Sequence, residues 1–219
     1  MSGALQVIFQ NQRSFGPPPP GAIGSAYEGG FYAGQISTAA NGVATHYLVV
    51  GPQSSAENSS KRYKNAGSAT TGADSVIDGS QNTADMVADG DSTVYPAAHF
   101  CNDLVIGGFS DWYMPAKNEL EVCYYNLKPT TASNNTSSGT NTNAVPSRGS
   151  NYTAETPAQT SVSAFQTGNA EAFASEGYWS STEASATDAW LQTFSSGFQI
   201  NFVTKASSYR VRAIRRVAL

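Results

Sequence analysis

Three short runs near the C-terminus alternate apolar and polar residues with a period of two, the strongest constraint on what this chain can fold into. In 189–194 Trp190 and Phe194 share a face. In 198–203 Phe198, Ile200 and Phe202 alternate with Gln199 and Asn201, and in 209–217 Tyr209, Val211, Ala213 and Val217 lie on one side. Successive strand residues point to opposite faces, so each run reads as a half-buried strand, with Ser195-Ser196-Gly197 turning between the first two. Together they predict a β-meander.

Upstream, the pattern changes. From Ser92 to Leu104 the apolar residues Ala97, Phe100, Cys101 and Leu104 recur at helical spacing, and Gly107-Gly108 closes the helix. Pro115 then opens a second helix over 116–125, with Leu120, Cys123 and Tyr124 as its buried stripe. Residues 31–36 and 45–50 read as two strands around an Ala40-Asn41-Gly42 turn. The stretch 53–91 is polar, with one helical turn around 82–87, and a short helix is expected over 164–174.

Residues 1–26 read as an arm: Leu5, Val7 and Phe9 alternate, and Pro17 to Pro20 favour a stiff polyproline II segment. Such a segment is either a peg that docks on another subunit or an ordinary disordered terminus. The main domain is then 27–219. Within it, 128–162 is low in complexity and reads as a surface insertion. Its Arg148, Asn151 and Tyr152 are candidate ligand-binding residues, because recognition concentrates on loops displayed by a rigid core and such residues suit adaptable contacts. A passive loop is the alternative.

Charged residues make up only 13% of the chain and hydrophobic ones 40%. A formal net charge of −4 and a pI near 5.1 argue against nucleic acid as a partner. No run approaches the ~20 apolar residues a bilayer requires, so no membrane insertion is expected. The N-terminus lacks a signal-peptide pattern, which implies folding in a cytoplasm and fits Cys101 and Cys123 as buried thiols. His46 and His99 are the only histidines, and no Ser or Cys stands in a motif with them. The 16 acids form no evident catalytic pair. Asp89-Gly90-Asp91 offers two oxygen ligands where calcium takes six to eight. The expectation is a chain without catalytic residues, metal or cofactor.

Two blocks carry a resemblance. Gly107-Gly108-Phe109-Ser110-Asp111-Trp112-Tyr113-Met114-Pro115-Ala116-Lys117-Asn118-Glu119-Leu120 is the first. The second is Tyr178-Trp179-Ser180-Ser181-Thr182-Glu183, followed by Ala189-Trp190, Phe194, Gly197 and Val211-Arg212-Ala213-Ile214-Arg215. In this order they resemble the lectin-like domains related to the C-terminal domain of a bacterial collagen-like adhesin, which also occur in bacteriophage tail and fibre proteins. The likeness covers roughly 92–217 without the insertion and is strongest over 92–127 and 176–217.

The resemblance implies an α+β, C-type-lectin-like fold: two helices on a small twisted antiparallel sheet, here with an extended N-terminal arm. It implies that Trp112, Pro115, Trp179, Trp190, Arg212 and Arg215 form the structural core of the motif, although the three tryptophans also suit a sugar-stacking platform. Arg212 and Arg215 are expected to pair with Asp111, Glu119, Glu183 or backbone carbonyls, leaving Arg210 and Arg216 exposed. The calcium-binding triplets of sugar-binding C-type lectins are missing. The functional expectation is a non-enzymatic bacteriophage virion protein, made in the host cytoplasm, whose outward domain binds a host-surface glycan or protein while the arm holds other virion proteins. A virion structural or decoration role is the alternative, a formylglycine-generating type of enzyme a remote one. A homotrimer would suit a fibre part, but no heptad or repeat supports it.

Overall fold

The computed structural model describes residues 18–219; the expected strand Leu5–Phe9 and the first proline of the arm lie outside them. Ten strands dominate the fold: β1 (Ala26–Tyr27), β2 (Gly30–Ile36), β3 (His46–Val50), β4 (Glu57–Arg62), β5 (Ala144–Val145), β6 (Gly177–Glu183), β7 (Asp188–Thr193), β8 (Gln199–Thr204), β9 (Ser208–Arg212) and β10 (Ile214–Ala218). Four short helices accompany them: α1 (Gln53–Ala56), α2 (Gly79–Asp89), α3 (Pro96–Asn102) and α4 (Lys117–Leu127).

The strands form two five-stranded sheets. One has the order β1-β2-β3-β10, with β5 also on β2; the other has the order β4-β9-β6-β7-β8. The expected pairing of 31–36 with 45–50 is present as β2 against β3, with Phe31 opposite Val50. The C-terminal meander holds for its first two strands only. β7 pairs with β8, but β9 crosses the sheet to lie parallel to β6 and antiparallel to β4. Period-two alternation assigns a face to each residue and says nothing about which strand lies alongside.

β9 and β10 are separated by Ala213 alone, so one nearly continuous strand passes from one sheet to the other. Ala213 donates its N–H to Ala56 and accepts from Gly51. Tyr113 and Ile214 exchange backbone hydrogen bonds at 2.9 and 3.0 Å, which fixes the start of β10 against the segment before α4. Val211 and Ala213 pack in one core cluster with Trp112 and Trp179, while Ile214 packs in the other with Leu120, Tyr124 and Phe194.

This arrangement corrects the expected C-type-lectin-like α+β fold. The molecule is mostly β, in two sheets, and its helices do not form a two-helix layer on a single sheet. α3 packs on α2, β4 and β9, whereas α4 packs on β2, β5, β6 and β7. Helical periodicity located both helices and the stripe of α4, while in α3 only Ala97 and Cys101 of the expected stripe are buried and Leu104 falls beyond its end. It does not encode which element faces each stripe.

Other departures have local causes. α2 buries Gly79, Asn82, Thr83 and Met86, so its inner face shows almost no hydrophobic periodicity. The expected helix over 164–174 shrinks to one 3-10 turn, Ser163–Phe165, and Gly168 at φ 92° leaves helical geometry. The β7–β8 register shifts between Ala189 and Leu191, so Asn201 and Phe202 together oppose Trp190. That bulge turns Phe202 outward, and it is 72% exposed instead of sharing a buried face with Ile200.

The segment 128–162 is built into the domain by its amides. Asn141 accepts from Asn143 and Ala144 and donates to Asn118 O (2.8 Å) and Glu121 (2.6 Å). Asn134 accepts from Tyr124 Oη at 2.6 Å and donates to the carbonyls of Thr153, Ala154 and Pro157. Low apolar content did not prevent ordering, because buried side-chain amides add anchors to the few hydrophobic contacts made by Ala144 and Tyr152.

Candidate functional site

The C-terminal arginines come first, because a free basic row would itself be a binding surface. Arg212 is buried and donates to Gly51 O (3.0 Å), Glu171 O (2.8 Å) and Glu171 Oε2 (2.9 Å). Arg215 grips Asp111 with both prongs of its guanidinium (2.7 and 2.9 Å) and lies 3.8 Å over the Phe109 ring. That pair joins the two motif blocks. Arg216 is not exposed: it donates at 2.6 Å to Glu119, a fully buried carboxylate that also accepts from Tyr113 Oη, Gly79 N and Ala116 N. Arg210 sits between Glu57 and Glu176 at 2.9 Å from each. Glu183 pairs with Lys205 instead of an arginine. All four arginines are thus engaged by carboxylates.

The tryptophans divide. Trp112 and Trp179 are buried, with indole N–H groups donating to Phe109 O and Lys61 O at 3.1 and 2.9 Å. Pro115 is buried ahead of α4, and its carbonyl accepts from Ser181 N. Trp190 stands apart: it is half-buried, belongs to neither core cluster, and has the Lys117 ammonium 4.8 Å from its ring centre.

Trp190 faces the 128–162 segment, and of the candidate residues there Asn151 lines a groove with it, while Arg148 and Tyr152 line the adjoining one. Arg148 forms an ion pair with Glu121 and stacks 4.0 Å over the Tyr125 ring. Tyr152 is buried and donates to Glu121 at 2.8 Å, so it supports the loop from beneath. Asn151 is exposed, accepting from Thr140 Oγ1 at 2.8 Å and donating to Thr136 O. Two grooves open here. One, of about 260 Å³, is lined by Tyr125, Arg148–Thr153 and Thr156. The other, of about 180 Å³, is lined by Lys117, Ser137–Thr140, Asn151, Trp190 and Gln199. Asn151 stands between the two. Lys117, Thr140 and Gln199 escaped the sequence reading, because they lie on three separate segments and no pattern links them.

Among the described residues no three His, Cys, Asp or Glu side chains converge as a metal site. His46 lines a separate cavity of about 350 Å³ with Asp78, Asp111 and Arg216; burial, and secondarily Arg216, lowers its pKa below the ordinary histidine value. Both cysteines are buried, and burial pushes the Cys123 thiol up to about 12. A thiol so placed stays protonated and unreactive.

Residues 70–215 match the Lcl C-terminal domain. The chain belongs to the Lcl C-terminal domain family. Both motif blocks, all three tryptophans and both grooves fall within the Lcl C-terminal domain, while β1 to β4 precede it. A search of curated proteins finds no match. Among solved structures, a fimbrial protein from Bacteroides ovatus ATCC 8483 aligns at 14% identity with a TM-score of 0.46, covering 84% of this chain and 43% of that one. The chain therefore spans less than half of that protein's length.

Proposed function

We propose that this chain is an adhesion module that holds its ligand on the face where the 128–162 segment meets β7 and β8. The observation that carries this reading is the pairing of rigidity with open concavity. The segment is anchored from below by Glu121, Asn134 and Asn141, yet its upper side presents two adjoining grooves divided by Asn151. Loops fixed on a scaffold and lined by Tyr, Ser, Asn and Gly are suited to recognition. Membership in a family named for an adhesin's domain supports the same reading. Because the thiols are buried, formylglycine-type chemistry is not favoured.

The carrier we assign is a bacteriophage particle and the ligand a glycan or protein of the host surface, with the N-terminal segment as the attachment to other virion proteins. Support comes from the resemblance of the motif blocks to tail and fibre proteins and from a surface kept soluble by neutral polar groups. One observation favours the alternative of subunit contacts alone: β8 is an uncharged strand at a sheet edge with Phe202 largely exposed, the kind of edge that pairs with other chains.

Attachment of the purified full chain to host cells separates the two. A Cβ added to Gly149 would meet nothing within 4 Å, so Gly149→Trp fills the larger groove without disturbing the fold. Loss of attachment in Gly149→Trp and in Asn151→Ala is the expected result. Undiminished attachment in both, with Phe202→Lys disrupting particle assembly, would leave the subunit-contact reading in its place.

A further inference from the structure

We propose that the groove beside Trp190 is a subsite for one carboxylated sugar residue, with Lys117 as the partner of its carboxylate. This rests on the binding face proposed above and names the chemistry it selects. Lys117 is half-buried at the first position of α4, and the Trp190 ring, 4.8 Å away, is its cation–π neighbour. No carboxylate lies within 4.0 Å of its ammonium among the described residues, whereas Lys64 and Lys205 each hold one and Arg212 two. Burial pulls the lysine pKa below its ordinary value, and Glu121 on the same helix, already held by Arg148, Tyr152 and Asn141, only partly opposes this. Lys117 is thus a poorly hydrated charge with no carboxylate in contact.

A second, independent feature lies at the same groove. Gln199 lines it, and its Nε2 is buried and donates to nothing, so this amide lacks the acceptor that buried donors ordinarily have. With Thr140 and Asn151 along the rim and an indole as one wall, the groove offers an apolar surface for a sugar ring and polar groups for its hydroxyls. Its size, about 180 Å³, suits one ring. A polysulfated chain would need a row of unengaged cations, and the C-terminal arginines are all engaged.

The test is titration of the full chain with methyl glucuronide, methyl glucoside and heparin, read by calorimetry and by tryptophan fluorescence. Trp112 and Trp179 are buried, so a ligand-dependent signal abolished in Trp190→Phe reports this groove. Glucuronide is expected to bind at least about tenfold more tightly than glucoside, a preference lost in Lys117→Gln and kept in Lys117→Arg. Equal affinity for the two glycosides, a preference surviving Lys117→Gln, or binding of heparin alone would overturn the proposal. Should Lys117→Gln lower the melting temperature, the glycoside preference of the unaltered protein still decides. Cell attachment that is lost in Asn151→Ala but unchanged in Lys117→Gln would sink the subsite and leave the binding face standing. Glucuronide bound in the groove by a protein that attaches to no cells would do the reverse.

Discussion

Glu121 on α4 and Arg148 in the 128–162 segment form an ion pair whose carboxylate is wholly buried and whose guanidinium covers it from the loop side. The same carboxylate accepts from Tyr152 at 2.8 Å and Asn141 at 2.6 Å, so one side chain fixes three points of the loop. Glu121→Ala would strand a tyrosine hydroxyl, an amide and a guanidinium together. The expected cost is about 3–5 kcal/mol in urea unfolding. Hydrogen exchange should quicken for 148–153 more than for β6. A uniform change across the two would mean that the loop is not held from this point.

The Tyr152 ring is also enclosed by two glycines. A Cβ on Gly197, at φ 73°, would lie 2.3 Å from the Tyr124 ring and 2.7 Å from that of Tyr152; one on Gly139, at φ 113°, would lie 2.3 Å from Tyr152. Gly197→Ala is expected to destabilise by about 2–4 kcal/mol, combining the left-handed backbone with overpacking. Gly42 has the same sign of φ, 78°, with nothing within 4 Å. Its alanine variant should lose only about 1–2 kcal/mol. Equal losses at the two positions would show that the aromatic wall gives way.

These contacts mark where the sequence could and could not be read. Local devices were legible where they rest on residues close in sequence, as in the proline ahead of α4 and the β2–β3 hairpin. Gly107-Gly108, expected to close the first helix, instead turns between Ile106 and Phe109, because α3 already ends at Asn102. The Asp111–Arg215 pair was legible because each partner sits in a recognisable block. The layer arrangement was not, since the stripe of α4 matches β2 as well as it would match a second helix. Nor was the ordering of 128–162, because Asn134 and Asn141 look like loop residues until the buried donors and acceptors they satisfy are known. Trp190 shows the same limit. Alternation gave it a buried face with Phe194, and the bulge opposite, together with the neighbouring loop, left its ring at the wall of a groove.

Arg215 joins the two motif blocks through geometry that a lysine does not reproduce. Its guanidinium bonds Asp111 at two points, donates to Glu28 O at 3.1 Å and stacks on Phe109. Arg215→Lys keeps the charge and loses the fork and the stacking plane. The expected loss is about 1–3 kcal/mol in thermal or urea unfolding. Because the charge is kept and what is lost is the fork and the stacking, added salt should recover little of it; a loss that vanishes in salt would reduce the contact to simple charge attraction.

Glu57 sets a pH dependence of a definite sign. Its Oε1 accepts from Arg210 at 2.9 Å, while Oε2 is buried without a hydrogen bond, 3.7 Å from Arg212. Burial raises its pKa above the ordinary carboxylate value, and Arg212, Tyr178 and Arg210 only partly oppose this. The folded state therefore keeps this proton to a higher pH than the unfolded chain, which releases it at about pH 4.3. Stability from this group is present at low pH and is lost as pH rises through the raised folded value. His46 acts in the opposite sense: its lowered pKa contributes stability above the unfolded value near 6.5, lost as pH falls through the folded one. The sum of the two hides either one, so the informative quantity is the difference between Glu57→Gln and the unaltered protein. In the variant Arg210 keeps Glu176 and Arg212 keeps Glu171, so no guanidinium is left without a carboxylate. Urea unfolding from pH 5 to 7 should show Glu57→Gln gaining on the unaltered protein as pH rises. Parallel curves would mean that Glu57 is ionised across the whole range, with Arg210 and Arg212 outweighing its burial.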